Sequence, residues 1–144
     1  MHYLRTILIA LLAAATTQPE VAGTHSERQI LDAIRQVESG GRDDCPDGDG
    51  GLSIGPYQIC KSYWRDATNF DHSLGGTYQD CRKPDYAEKV IRAYMQRYIN
   101  AAWKQLDAEI IAKTHNGGPR GTEKVKKVKT VEYWKKVKAQ LHRP

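Results

Sequence analysis

Residues 37–59 read VESGGRDDCPDGDGGLSIGPYQI, from Val37 to Ile59. The segment holds five carboxylates and six glycines. Glu38 stands alone before Ser39 and the Gly40-Gly41 pair, which marks a helix end. Residues 42–51, dominated by Gly and Asp, read as a loop. Leu52 to Ile59 then read as a short strand or an extended turn.

Upstream, Ser26 is an N-cap and Glu27 stands in the first turn. Ile30, Ile34 and Val37 recur at spacings of four and three, with Leu31 beside them. That pattern predicts an amphipathic helix. Downstream, Tyr63 and Trp64 belong to a short helix, and residues 67–83 read as irregular. Pro84 suits the first position of a helix whose stripe is Val90, Ile91, Tyr94, Met95 and Tyr98. Ile110 and Ile111 mark a shorter helix. HNGGPRG, His115 to Gly121, reads as a Gly/Pro loop outside regular structure. Val131, Tyr133, Trp134 and Val137 mark a final helix. The fold class is mostly α, an α+β arrangement of small size with a minimal β/turn region lining a cleft.

The 144 residues suit one domain. Arg5 and the nine apolar residues from Ile7 to Ala15 resemble a secretory leader, too short to span a bilayer. Val21, Ala22 and Gly23 are small residues ahead of a cut at Thr24, so residues 1–23 are expected to be removed and 24–144 to form the domain. No stable membrane association is expected. The net charge of +5 draws a protein to anionic surfaces without choosing among them. Secretion permits disulfides. Cys45, Cys60 and Cys81 allow at most one bridge, so the core must supply most of the stability.

Glu38 and a loop aspartate form the first candidate constellation. Glycosidic bonds are usually cleaved by two carboxyl groups, one protonated and one ionised. Their environments must differ so that their pKa values separate. A carboxyl at the end of a packed helix is unfavourable to the dipole there, and shielding from water would raise its pKa further. On spacing alone, a solvated helix-end glutamate is the favoured reading. The run DDCPDGDGG resembles the start of a calcium loop, but the acidic residue due at position twelve is Ile54. No metal site and no cofactor are expected. Tyr57 and Gln58 offer a ring and an amide, which suit a sugar or an ordinary core. His115 with Asn116 would suit a cysteine protease, yet no cysteine has the context of a nucleophile. Seven lysines between Lys124 and Lys138 read as a solvated face. No aromatic-and-basic platform accompanies them, so nucleic acid is not an expected partner.

Taken in order, VESGG, GDGGLSIGPYQI, SYWRDA, AYMQRY, THNGGPRG and EYW resemble the invertebrate-type (i-type) lysozyme, or destabilase, family over roughly residues 30–138. The resemblance implies a small, secreted, monomeric muramidase with a lysozyme-like fold. Such enzymes hydrolyse the β-1,4 bond between N-acetylmuramic acid and N-acetylglucosamine in peptidoglycan. It makes Glu38 the general acid. The second carboxylate is Asp49, which abuts the shared segment, with Asp47 as the alternative. Ser53, Tyr57, Gln58, His115, Asn116 and Gly117 would line the sugar cleft by the same resemblance. The chain departs from the family in its few cysteines: Ile54 and Ala67 stand where cysteines are usual. It therefore resembles a disulfide-poor branch, each lost bridge being worth ~2–4 kcal/mol. Gly51 stands in place of a usual serine, which separates the chain from the isopeptidase activity of the destabilase branch.

Two other classes compete with this reading. A lytic transglycosylase-like enzyme would act with one Glu and no Asp. A non-enzymatic cationic protein would kill bacteria or bind glycans by charge, with an effect that salt screens.

Overall fold

The structure, a computed structural model, describes residues 24–124 and 127–143. The expected leader, residues 1–23, lies outside the described residues. Helices dominate: α1 (Glu27–Ser39), α2 (Lys61–Phe70), α3 (Pro84–Lys104), α4 (Ala108–Gly117) and α5 (Lys127–Leu141). A two-stranded antiparallel hairpin, β1 (Ser53–Ile54) and β2 (Ile59–Cys60), sits between α1 and α2. Among the described residues no helix is long and apolar enough to cross a membrane.

Helix α1 begins and ends as its sequence predicts. The Ser26 hydroxyl accepts from the Gln29 amide at 3.2 Å, and the Gln29 side chain accepts from the Ser26 amide at 2.8 Å. This reciprocal pair satisfies two donors that the helix start leaves open. Gly40 closes the helix with φ 64°, a left-handed conformation in which a Cβ would be strained. Ile30, Leu31 and Ile34 are fully buried, so the predicted stripe faces the core.

The core joins this stripe to Ile54, Tyr57 and Ile59 of the hairpin, Ile91 and Met95 of α3, and Ile111 of α4. Glu88 of α3 is a polar anchor within it. Its carboxylate accepts from Arg28 at 2.8 Å, from the Tyr57 hydroxyl at 2.8 Å and from Arg92 at 3.4 Å. Burial opposes its charge, but the Arg28 and Tyr57 hydrogen bonds outweigh that and hold its pKa below the ordinary value. Thus α1, the hairpin turn and α3 are tied at one point.

The hairpin pairs Ser53 with Cys60 and Ile54 with Ile59. The Tyr78 hydroxyl donates to the carbonyls of Leu52 and Ile59, at 3.1 and 2.9 Å. At the turn, Gly55 has φ 72°, and a Cβ there would stand 2.2 Å from the Cys81 carbonyl oxygen. Only glycine fits both conditions.

Two expectations need correction. HNGGPRG is not all loop: α4 continues through His115, Asn116 and Gly117 before Gly118 ends it at φ 77°. Asp107 caps the helix through the Ile110 amide at 3.0 Å, and buried Ile111, Thr114 and His115 hold its far end against the core. Residues 67–83 are partly helical, because α2 runs to Phe70 and a 3-10 turn covers Tyr78–Arg82. The allowed disulfide is not formed, and all three cysteines are free. Each faces a different neighbourhood. The Cys45 sulfur lies 3.6 Å from Gln58 Nε2 and that of Cys60 3.2 Å from the Ser62 hydroxyl, while Cys81 is buried in the core. Burial pushes the Cys81 thiol up to about 12.

Candidate active site

Glu38 occupies the last turn of α1, where α4 and α5 converge on it. Its side chain retains 18 % of its exposure. The Tyr133 hydroxyl, reaching from α5, donates to Glu38 Oε1 at 2.7 Å. His115 Nε2, from α4, stands 3.6 Å from the same oxygen. The carboxyl pKa is raised from 4.5 to about 7. Burial is the main cause, the negative charge of Asp49 adds to it, and the Tyr133 hydrogen bond, Lys129 and Lys136 oppose it.

His115 is not an ionic partner. Its Nε2 lies 3.1 Å from the Tyr57 carbonyl, which can only accept. Nε2 therefore carries the hydrogen, and Nδ1 faces the Tyr63 hydroxyl at 3.5 Å. Burial lowers the imidazole pKa to about 4, so the ring is neutral near pH 7. The contact with Glu38 is that of a neutral N–H near a carboxyl oxygen.

Asp49 begins the 3-10 turn Asp49–Gly51 that leads into β1. Its φ of 49° lies in the left-handed region, which Asp tolerates better than most residues. The buried Ser53 hydroxyl donates to Asp49 Oδ2 at 3.1 Å. A backbone bridge from Gly48 to Ser53 closes the same loop, with hydrogen bonds of 2.9 and 3.2 Å. Ser53 thus orients the aspartate from the base of the loop. Gln58 braces the loop as well, its amide donating to the carbonyls of Gly55 at 2.9 Å and Pro46 at 3.1 Å.

Asp47 is engaged elsewhere. Arg82 clamps it through two hydrogen bonds, of 2.5 and 2.8 Å, which hold its carboxyl below the usual pKa range. Its lone pairs face a guanidinium, whereas the charge of Asp49 acts on Glu38.

Tyr57 is fully buried, with its hydroxyl on Glu88 and Arg28. No face of its ring is open to a sugar. Its contribution is the carbonyl that fixes the His115 tautomer. Asn116 and Gly117 occupy the last turn of α4, next to His115. Asn116 Oδ1 is buried with no hydrogen-bond partner among the described residues. No cluster of potential metal ligands exists among the described residues.

One site residue reads only as core in the sequence. Tyr133 is a stripe position of the last helix, and its partner Glu38 lies 95 positions away. No local pattern announces such a pair. Only the presence of EYW among the resembling segments marks the region.

The comparisons with known proteins identify the family. The Destabilase family profile matches residues 27–140. A lysozyme of Meretrix lusoria is 36 % identical over 81 % of the chain and 91 % of its own length. The invertebrate-type lysozyme 6 of Caenorhabditis elegans is 34 % identical over 81 % and 88 %. Among solved structures, Aeromonas hydrophila PliI in complex with Meretrix lusoria lysozyme matches with a TM-score of 0.64 and 33 % identity, covering 78 % of this chain and 88 % of that one. The mostly helical fold with its small hairpin, the matching family profile and these relatives lead to one assignment: the chain belongs to the destabilase family of invertebrate-type lysozymes, which are glycoside hydrolases.

Proposed function

We propose that the chain is a secreted, monomeric muramidase. It hydrolyses the β-1,4 bond between N-acetylmuramic acid and N-acetylglucosamine in peptidoglycan, with Glu38 as general acid and Asp49 as the second carboxylate. Family membership carries the reaction class. The observation that best supports the roles is the buried Glu38 carboxyl, with its pKa pushed up to about 7 by burial and by the Asp49 charge. Below that pH the carboxyl is neutral and can protonate the leaving glycosidic oxygen. Asp49, held by Ser53, faces the oxocarbenium-like centre as nucleophile or electrostatic partner. Asn116 and Gly117, half-buried at the end of α4, are placed along the sugar, with the buried neutral ring of His115 behind them. The apolar run Ile7–Ala15 supports removal of residues 1–23, leaving 24–144 as the enzyme.

Digestion of purified peptidoglycan by wild type and Glu38→Gln, with mass analysis of the released ends, tests this. New reducing ends from the wild type alone fit the proposal. Equal release by both proteins refutes the role of Glu38. Anhydro-sugar ends, with activity retained in Asp49→Asn, point instead to transglycosylase chemistry.

A further inference from the structure

We propose that Tyr133 is a positioning residue for the acid: its hydroxyl holds Glu38 Oε1 as a permanent acceptor, so that the transferable proton is carried on Oε2. The inference rests on the reading of Glu38 as the general acid and adds to it where the proton sits. One donor is committed to Oε1, the Tyr133 hydroxyl at 2.7 Å. The Nε2–H of His115, 3.6 Å from the same oxygen, is taken up by the Tyr57 carbonyl at 3.1 Å and crowds Oε1 without bonding it. A proton on Oε1 would meet the tyrosine's hydrogen on the same oxygen. Oε2 is the oxygen left to bear it.

Among the described residues the Tyr133 hydroxyl has no acceptor other than Glu38, so turning it round to accept from Oε1 would leave its own hydrogen unbonded. Tyr133 is 7 % exposed, and burial with the neighbouring carboxyl raises its pKa well above 10, so it keeps its hydrogen wherever the enzyme works. A donor to the ionised form stabilises that form. Tyr133 therefore limits how far burial raises the Glu38 pKa, while it fixes the carboxyl plane. The other groups acting on the carboxyl are Lys129 and Lys136 on α5, His115 on α4 and Asp49 on the loop. Lys129 lies four residues before Tyr133 and Lys136 three after, on the same side of α5. Their charges remain in a Tyr133→Phe variant, so that substitution isolates the hydroxyl.

Titration of the Glu38 carboxyl by carbon-13 NMR in wild type and Tyr133→Phe tests the proposal, with the pH profile of peptidoglycan hydrolysis measured alongside. Loss of the hydroxyl should raise the Glu38 midpoint by about one pH unit. The alkaline limb of the activity profile should move up with it, and kcat should fall with KM unchanged. Tyr98→Phe is the control, since that hydroxyl bonds Asp66 at 3.0 Å. Should Tyr133→Phe fail to fold, 3-fluorotyrosine at position 133 keeps the ring and strengthens the donor, and the midpoint should then fall. A Glu38 midpoint that stays put or moves the other way overturns the proposal. A midpoint that rises while the activity limb does not follow refutes Glu38 as the acid and leaves the tyrosine's hold on its carboxyl standing.

Discussion

Consider replacing Glu38 by Gln and measuring stability rather than activity. The fold opposes ionisation of this carboxyl, since its pKa rises from 4.5 to about 7. At ~1.4 kcal/mol per pH unit, that rise corresponds to about 3 kcal/mol. The sign follows from the raised value. Below pH 4.5 the carboxyl is neutral in both folded and unfolded chains and has no effect on the balance. As pH climbs from 4.5 to about 7 the unfolded chain ionises first, and the wild type loses stability. Above about 7 the loss is complete. Gln keeps an oxygen for the Tyr133 hydroxyl and never ionises, so the variant escapes the loss. Glu38→Gln should match the wild type near pH 4 and exceed it near pH 8. For a domain between the small class at ~4–8 °C of Tm per kcal/mol and the larger one at ~2–4 °C, this gives a gap on the order of 10 °C. Thermal unfolding of both proteins from pH 4 to 9 reads this directly. A difference independent of pH, or a variant less stable at pH 8, would refute the argument that burial raises the acid's pKa.

Other outcomes follow from the same geometry. Asp49→Asn should lose on the order of a hundredfold in peptidoglycan turnover, whereas Asp47→Asn, whose carboxylate is occupied by Arg82, should stay within about threefold of wild type; the reverse ranking in a turbidity assay would exchange their roles. Wild-type turnover should decline as pH rises through about 7, because the acid then loses its proton; a rate that keeps climbing past pH 8 contradicts this. The His115 ring should remain neutral from pH 5 to 8 with its hydrogen on Nε2, which nitrogen-15 NMR can read. Gly55→Ala should destabilise by roughly 3 kcal/mol or more, from a disallowed φ and a clash with the Cys81 carbonyl; a denaturation midpoint near that of wild type would argue against the turn geometry.

The parts of the fold legible in sequence are those governed by neighbours along the chain. Ser26, Gly40 and Pro84 mark helix ends because capping is a matter of a few residues. Glu38 could be placed at a helix end, but its environment could not, since that comes from α4 and α5. HNGG misled because glycines at a helix C-terminus look like glycines in a loop. What extends α4 through His115 is burial of that ring between Tyr57 and Tyr63, an effect invisible locally. Tyr57 misled in the opposite sense: a ring beside an amide suits a sugar, and only Glu88 and Arg28, at separations of 31 and 29 positions, show it to be a buried anchor. The ambiguity between Asp47 and Asp49 has the same origin. Two residues apart on one loop, they are told apart by Arg82, 35 positions beyond.

The acid and its hydroxyl partner sit on the first and last helices, and the ring of His25 ahead of α1 meets that of His142 after α5 at 5.9 Å between centroids. A ribosome therefore finishes most of this chain before any of it can acquire the buried carboxyl proposed as its proton donor. Until α5 emerges and docks, Glu38 is a carboxylate open to water, ionised at neutral pH. The wall-cutting chemistry proposed for the protein would thus be the last property to appear during synthesis, and a nascent chain cut short before Tyr133 would be harmless to whatever glycan surrounds it.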